Sequence, residues 1–309
     1  MLYESIMRIF NKRAPKIAYC AVGIVVFAIA AQGQTPTPTP TPPASNIYVI
    51  EVKNHQGQLK FGEPKKITTS VGYNNQPSFL ANGKSLLYAS IRDKQADIYR
   101  HDLASGTTMQ VTDTKESEFS PTLMPDGNSI SVVRVEADGT QRLWKFPLKG
   151  GTPSLILEKI KPVGYHLWID DHTLALFVLG TPNTLQIVDL KTGKADKVAD
   201  NPGRILRRIP QQNKFSFVHK ISDREWVIKE FDLRMQTSAL LTPTLAGVED
   251  YAWLPSGRLL MAKDSKLFAI VPLKDKDWQE VADFSKAGLK GITRIAISPK
   301  GNRIAVVAR

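Results

Sequence analysis

The chain has 309 residues, is 42% hydrophobic and carries a formal net charge of +12. This composition excludes a collagen-like or intrinsically disordered chain, and the length is compatible with one large all-β domain. The single cysteine, Cys20, excludes an intrachain disulfide. Basic residues form no dense run after residue 16, so nucleic-acid binding is not expected. The positive charge instead favours anionic partners or surfaces, or serves solubility alone.

The first 33 residues have the pattern of an export signal. A positive stretch over 1–16 precedes an apolar run over 17–31, and small residues such as Ala31 and Gly33 stand at its end. The run is shorter than the roughly 20 residues that span a membrane and suits the core of a signal peptide. We therefore predict a signal peptide over 1–33 and a periplasmic or otherwise exported protein. The alternative is an uncleaved signal-anchor, which would hold the body at the inner membrane, outside the cytoplasm.

A spacer rich in threonine and proline follows over 34–45. Alternating prolines over 36–43 remove backbone donors and fix φ, so this segment cannot join a sheet. An extended, semi-rigid linker is expected, with about 3.1 Å per residue.

The remaining chain contains a repeat in which a tight turn separates two apolar strands. The clearest turns contain Asn82-Gly83, Asp126-Gly127 and Ser256-Gly257, pairs that suit the positive φ of such turns. The turn positions are residues 83, 127, 172, 213, 257 and 301, which lie 41 to 45 residues apart. In the degenerate third copy, His172 replaces glycine and is expected to accept positive φ. A period of about 40–45 residues with four short strands per unit is typical of a β-propeller.

The two ends of the repeat region complement each other. The last copy stops at Arg309 after two inner strands, whereas the segments 46–52 and 64–69 have the pattern of two outer strands. Pairing of these halves would produce one composite blade and leave no open sheet edge. We therefore predict an all-β, six-bladed β-propeller over 46–309, with the ring closed by pairing of N-terminal and C-terminal strands.

Three segments carry a resemblance to a known family. The repeats at 123–133 (Leu-Met-Pro-Asp-Gly-Asn-Ser-Ile-Ser-Val-Val) and 297–307, and the strand Ile98-Tyr-Arg-His-Asp-Leu103, resemble the WD-like repeats of TolB-type propellers. The resemblance implies a periplasmic propeller that binds a partner at the mouth of its ring. True TolB has an α/β domain before the propeller, where this chain has the Thr/Pro spacer, so a TolB-like protein is predicted. The family also includes propeller halves of prolyl-oligopeptidase-type peptidases, but no Gly-x-Ser-x-Gly elbow occurs here.

The candidate site is the mouth of the central channel, where the innermost strand of each blade begins. Seven residues just before these strands are the predicted binding residues: Asn75, Gln76, Glu118, Tyr165, Arg204, Asp250 and Arg294. Their mixed charge suits recognition of a polar peptide or sugar. The sequence contains no Walker loop, His-Glu-x-x-His motif or EF-hand loop, so no catalytic residue, metal or cofactor is predicted.

Three functional hypotheses follow. The first is a non-catalytic scaffold that binds an envelope protein or peptide, anionic in character, as a monomer that contacts the membrane only if the leader is retained. The second is a hydrolase or lyase acting on a glycan or lactone, with Glu118 and Asp250 as bases or as ligands of a divalent cation. The third is a structural module that tethers an assembly through the Thr/Pro arm.

Overall fold

A computed structural model describes residues 42–309. The predicted leader and the spacer up to residue 41 lie outside the described residues, so the limits predicted for these segments stay predictions. Between residues 42 and 309, no helix is long and apolar enough to cross a membrane. One short 3₁₀-helix, Ser285–Ala287, accompanies the strands.

The first described element is a hairpin of β1 (Asn46–His55) and β2 (Gln58–Phe61), followed by β3 (Lys65–Lys66), which pairs with the start of β1. The outer strand predicted over 64–69 is shorter in the structure, where it is β3. Strand β2 also pairs with β1, so β2 and β3 together occupy the outer edge of this blade. The reason is the two-residue turn at Gln56 and Gly57, which have φ values of 51° and 83°. Such a turn matches the twist of the flanking strands and reverses the chain at once.

Five four-stranded antiparallel sheets follow, each formed from consecutive strands. Blade 1 contains β4 (Asn74–Phe79), β5 (Ser85–Arg92), β6 (Gln95–Asp102) and β7 (Thr108–Gln110). Blade 2 contains β8 (Ser117–Leu123), β9 (Ser129–Val135), β10 (Gln141–Pro147) and β11 (Ser154–Leu155). Blade 3 contains β12 (Val163–Trp168), β13 (Thr173–Val178), β14 (Thr184–Asp189) and β15 (Ala195–Asp200). Blade 4 contains β16 (Pro202–Arg208), β17 (Lys214–Lys220), β18 (Trp226–Asp232) and β19 (Thr237–Pro243). Blade 5 contains β20 (Tyr251–Trp253), β21 (Leu259–Lys263), β22 (Lys266–Ile270) and β23 (Gln279–Asp283).

The sixth blade joins the two ends of the repeat region. Strands β24 (Arg294–Ile297) and β25 (Arg303–Ala308) pair with each other, and β25 pairs antiparallel with β1 from Asn46 opposite Ala308 to Glu51 opposite Arg303. The composite blade confirms the predicted closure of the ring. Closure stabilises the fold because it leaves no unpaired edge between the first and last blades.

The core consists of apolar clusters between neighbouring blades. Six such clusters are present, one for each pair of adjacent blades, including the pair formed by blades 6 and 1. In the last of these, Ile47 and Val307 pack with Leu86 and Tyr88, all essentially inaccessible to solvent. The central strands are apolar on both faces because each blade is covered on both sides, so a nearly continuous apolar run replaces strict alternation.

Four of the six innermost strands, β4, β8, β12 and β16, contain a β-bulge near their start. The register shifts between Asn75 and Ser78 in β4, and between Phe119 and Thr122 in β8. At the two bulges Gln76 and Ser120, each followed by proline, have φ values of 57° and 54°. The Ser120 amide donates to Gln76 Oε1 at 2.7 Å, so the Gln76 side chain also ties blade 1 to blade 2. Bulges re-aim side chains, and here they turn polar groups toward the ring axis.

The degenerate turn of the third repeat closes differently from the glycine turns. Gly127 has the expected positive φ of 66°, but His172 is not in the left-handed region. Instead, the Ile169 amide donates to the Thr173 carbonyl at 2.9 Å, and Asp170 Oδ1 accepts from the His172 amide at 2.8 Å. The expectation of positive φ at His172 was wrong, because an aspartate side chain satisfies the backbone of this turn.

Candidate functional site

The inner strands surround an axial cavity of about 520 Å³. Its wall contains apolar side chains such as Phe79 and Trp253 beside hydroxyl, amide and guanidinium groups. The polar side chains of the lining include Gln76, Ser120, Tyr165, Arg204, Arg207, Arg208 and Arg294. The volume lies within the range of small-ligand pockets, about 300–1,000 Å³.

A second cavity of about 280 Å³ lies where the inner strands begin. Pro43, Ser45, Tyr73 and Asn75 contribute to its wall. The backbone amide of Ser45 donates to Gly72 O, and its hydroxyl donates to Asn74 O, both at 2.9 Å. The last residues of the predicted spacer are therefore fixed at the channel mouth.

Arg204 and Arg294 line both cavities and so lie between them. Arg294 Nη2 donates to the Tyr165 hydroxyl at 3.1 Å, and its guanidinium carbon lies 5.3 Å from the centre of the Tyr165 ring. Since Arg294 belongs to blade 6 and Tyr165 to blade 3, this contact joins opposite sides of the ring. The pair separates the outer cavity from the inner one.

Asp250 contacts both Arg204 and Arg294 on the side away from the cavities. Its side chain is only slightly exposed, its Oδ1 accepts from the Ile295 amide at 2.8 Å, and its Oδ2 lies 3.7 Å from Arg294 and 3.9 Å from Arg204. Burial raises the pKa of Asp250, while Arg294, Arg207 and Arg204 oppose that rise through their charges. The carboxylate neutralises part of the positive charge and does not line either cavity.

A second carboxylate fixes Arg204 from the next blade. Glu249 accepts from the Arg204 amide at 3.2 Å and lies 3.3 Å from its guanidinium and 3.0 Å from Lys220 Nζ. Burial works to raise the pKa of Glu249, but Arg204 and Lys220 outweigh it and the pKa is lowered. Glu249 is therefore ionised at neutral pH and is committed to these cations.

Glu118 lies away from the predicted mouth. Its side chain is fully buried, accepts from Thr114 Oγ1 at 2.6 Å and lies 3.3 Å from Arg134 Nε. Burial raises its pKa to about 7, against the effects of Thr114 and Arg134. Because this position of β8 faces the neighbouring blade rather than the axis, Glu118 is not part of the lining of either cavity.

The structure thus brings together five of the seven predicted mouth residues. Asn75 lines the outer cavity, Gln76 and Tyr165 line the inner one, and Arg204 and Arg294 line both. Asp250 lies directly behind the two arginines, and Glu118 lies between blades 1 and 2.

Sequence reasoning missed Arg207 and Arg208, which line the inner cavity from the end of β16. They belong to the weakest repeat copy, and the register of β16 shifts between Pro202 and Leu206. Three arginines within the five residues from 204 to 208 were the available signal. In the described part of the chain, no group of three or more His, Cys, Asp and Glu residues is arranged to hold a metal ion.

A scan against protein-family models found no match, and a comparison with curated protein sequences found none either. Solved structures do match. A provisionally assigned TolB from Agrobacterium tumefaciens is 16% identical with a TM-score of 0.66, and the match covers 86% of this chain and 98% of that one. TolB from Acinetobacter baumannii is 15% identical with a TM-score of 0.55, over 86% of this chain and 64% of that one, so this chain spans less than two thirds of its length.

An oligogalacturonate lyase from Vibrio parahaemolyticus is also similar. It is 10% identical with a TM-score of 0.54, and the match covers 87% of this chain and 92% of the lyase. At these identities the comparisons establish the fold: residues 46–309 form a TolB-like six-bladed propeller. TolB structures and a lyase both have similar rings, so the fold does not by itself identify a function.

Proposed function

We propose that this chain is an exported, non-catalytic scaffold that holds an envelope protein or peptide in its axial channel. The observation that carries the proposal is the charge of the channel wall. Four arginines, Arg204, Arg207, Arg208 and Arg294, line the inner cavity, whereas the neighbouring carboxylates of Glu249 and Asp250 are engaged by cations or backbone. A wall of this kind attracts and orients an anionic partner.

In this proposal the partner meets the mouth first. Asn75 and the Arg204 and Arg294 pair would contact it in the outer cavity, and Gln76 and Tyr165 would contact it further in. Asp250 acts as a positioning residue, since it holds both guanidinium groups without lining either cavity. Glu118 takes no direct part in binding, because its carboxylate is engaged between blades.

An enzymatic use of the channel is the alternative, as a hydrolase or lyase acting on a glycan or lactone with a divalent cation. The similarity of the oligogalacturonate lyase fold is compatible with it. However, the two carboxylates that this chemistry would use, Glu118 and Asp250, both lie beside arginines and not in the cavity wall. This arrangement supports binding over catalysis.

Export rests on the predicted leader over 1–33 and on the spacer over 34–45. The spacer meets the body at the channel mouth, where Ser45 is hydrogen-bonded.

In-cell photo-crosslinking of the full chain tests the proposal. A photoreactive residue at Thr293 or Asn75, both in the wall of the outer cavity, should give the same covalent adduct with one envelope protein or peptide. A matched probe at Lys191, an exposed residue in the turn between β14 and β15, should not. Equal adducts at all three positions, or none at the mouth, would refute the proposal.

The enzymatic alternative has its own readout. The purified chain is incubated with acidic oligosaccharides and a divalent cation, and the products are separated by chromatography. Turnover that disappears in Asp250→Asn but persists in Glu225→Gln, an exposed control, would replace the scaffold proposal with the enzyme.

A further inference from the structure

Arg207 and Arg208 are adjacent arginines at the end of β16, and both line the inner cavity. Arg207 donates to the Leu206 carbonyl at 3.3 Å and, across the channel, to the Ile295 carbonyl at 3.4 Å. Arg208 Nη2 donates to the Gln212 carbonyl at 3.4 Å. These distances are long for hydrogen bonds to a charged donor, which are usually about 2.7–2.9 Å when the acceptor is an anion.

Within residues 42–309, neither guanidinium has an anionic partner. Among the described residues, no carboxylate oxygen lies within 4.0 Å of Arg207 or Arg208, whereas Arg204 and Arg294 each reach one. The Nη1 atom of Arg208 is buried and has no hydrogen-bond partner within residues 42–309. Burial lowers the pKa of Arg207. The charge of Asp250 opposes this shift without a direct ion pair to Arg207.

Both arginine side chains are half-buried, and a partly desolvated charge without an anionic partner is costly because its lost hydration is not compensated. The cost would be recovered if an anion completed the site. The two guanidinium groups lie beside apolar side chains, including Trp253, Pro255 and Ile297 in the same cavity wall. Guanidinium forks match the two oxygens of a carboxylate, and the apolar wall suits the methylene groups that carry it.

We infer that Arg207 and Arg208 form the specificity site of the channel, which binds the carboxylate side chains of an acidic peptide. This inference rests on the proposed function, since it names the chemistry of the segment that the channel holds. The outer pair of Arg204 and Arg294 is already balanced by Asp250 and Glu249. The inner pair therefore supplies the charge that selects the ligand.

The test uses the full chain and two small probes in calorimetric titrations. The first probe is an acetylated, amidated tetrapeptide with two central glutamates, and the second has glutamines in their place. The acidic peptide should bind saturably. The glutamine peptide should bind about 10- to 100-fold more weakly, the ratio expected when charged hydrogen bonds are lost.

Three variants locate the site. Arg208→Gln should weaken binding of the acidic peptide about 10- to 100-fold. Arg207→Lys should weaken it to a smaller extent, since it retains the charge but loses the fork. Arg234→Gln removes the same charge from an exposed turn and should leave the affinity unchanged. Among the hydrogen bonds of the described residues, the Arg208 side chain donates only to the Gln212 carbonyl, and Arg234 donates only through its backbone amide, to Asp232 Oδ1. Circular dichroism of each variant establishes that it is folded.

Several results would overturn the inference: no saturable binding at millimolar peptide, equal affinity for the two peptides, or equal losses in Arg208→Gln and Arg234→Gln. Displacement of the acidic peptide by inorganic phosphate at equal concentration would also overturn it, because the site would then select phosphate. The crosslinks at Thr293 and Asn75 are independent of these titrations. A partner found at the mouth with no acidic-peptide binding would leave the proposed function intact and refute only the inner site.

Discussion

Replacement of Glu118 by glutamine should stabilise the folded chain at pH 8 and leave its stability nearly unchanged at pH 5. The Glu118 side chain is fully buried, and its Oε2 atom has no hydrogen-bond partner among the described residues. Burial raises its pKa from 4.5 to about 7. The protonated carboxyl of Glu118 is neutral and carries one hydrogen-bond donor. Glutamine is neutral at every pH and offers the same kind of donor.

The sign of the effect follows from the two pKa values. A carboxyl whose pKa is higher in the folded than in the unfolded chain binds its proton more tightly when folded. Its contribution to stability is complete below pH 4.5 and is lost as the pH rises through about 7. At about 1.4 kcal/mol per pH unit, the gap between the two values corresponds to about 3 kcal/mol, most of it lost by pH 8.

Urea unfolding of the wild type and of Glu118→Gln, at constant ionic strength from pH 5 to pH 8, measures this contribution. The informative quantity is the difference between the two free energies of unfolding, because other groups that titrate in this range cancel. That difference should grow by about 3 kcal/mol in favour of the variant from pH 5 to pH 8. Glu225→Gln, which changes an exposed carboxylate in the same way, should follow the wild type.

A difference that stays constant with pH would refute the reasoning, since Glu118 would then titrate alike in the folded and unfolded chains. A difference that grows in favour of the wild type would also refute it. In that case the ion pair with Arg134 at 3.3 Å would outweigh burial, and the folded-state pKa would lie below its ordinary value.

Three further predictions concern the contacts between blades. His166 is buried, bonds to Ser131 at 2.7 Å and has its pKa lowered by burial from 6.5 to about 3, so its contribution to stability is present above pH 6.5 and is lost as the pH falls toward 3. His166→Gln should therefore flatten the acid side of the stability curve measured by urea unfolding, and an unchanged slope between pH 6 and pH 4 would contradict this. Ser216 Oγ accepts from the Tyr251 hydroxyl and from Trp253 Nε1, both at 2.8 Å. Ser216→Ala should lower the free energy of unfolding in urea by about 1–3 kcal/mol, since the buried Tyr251 hydroxyl loses its partner. A loss no larger than that of an exposed serine would contradict this prediction. Gly301 and Gly257 both have positive φ, but a Cβ at Gly301 would lie 2.7 Å from Pro255 Cδ, whereas one at Gly257 meets nothing within 4 Å. Thermal unfolding should therefore show Gly301→Ala to be less stable than Gly257→Ala by about 1–3 kcal/mol, and equal melting temperatures would remove the steric argument.

Much of the fold could be predicted from the sequence, because the strands and turns of each propeller blade depend on residues close together in the chain. The turn at Gly127 needs positive φ, and the spacing from one such turn to the next gives the length of a blade. The unpaired inner strands before Arg309 and the outer strands after Asn46 predicted the composite blade, which the pairing of β25 with β1 confirms. These features depend on residues close together in the chain or on the regular repeat itself.

Weak repeat copies gave less reliable predictions. His172 was expected in a left-handed turn, but Asp170 satisfies the backbone there. The short turn at Gln56 and Gly57 added strand β2 outside the predicted outer strand. In both places a side chain or a single tight turn changed the local geometry without changing the repeat.

The candidate site could likewise be predicted only in part. The prediction placed the binding residues just before each inner strand, whereas the structure places them within the first residues of these strands, because the strands begin earlier than expected. Five of them, Asn75, Gln76, Tyr165, Arg204 and Arg294, nevertheless line the channel wall. The same rule placed Glu118 and Asp250 at the mouth, but it could not tell which carboxylates would turn toward a neighbouring blade or an arginine.

The sequence by itself therefore determined the number of blades, the way the ring closes and the end of the channel that carries polar residues. Only the tertiary structure decided that Arg294 meets Tyr165, 129 residues away. It also decided that Arg207 and Arg208 face a cavity with no carboxylate partner from the described part of the chain. The physical reason is that local turns and alternation set the strands of each blade, whereas charges are balanced across the ring between blades far apart in the chain.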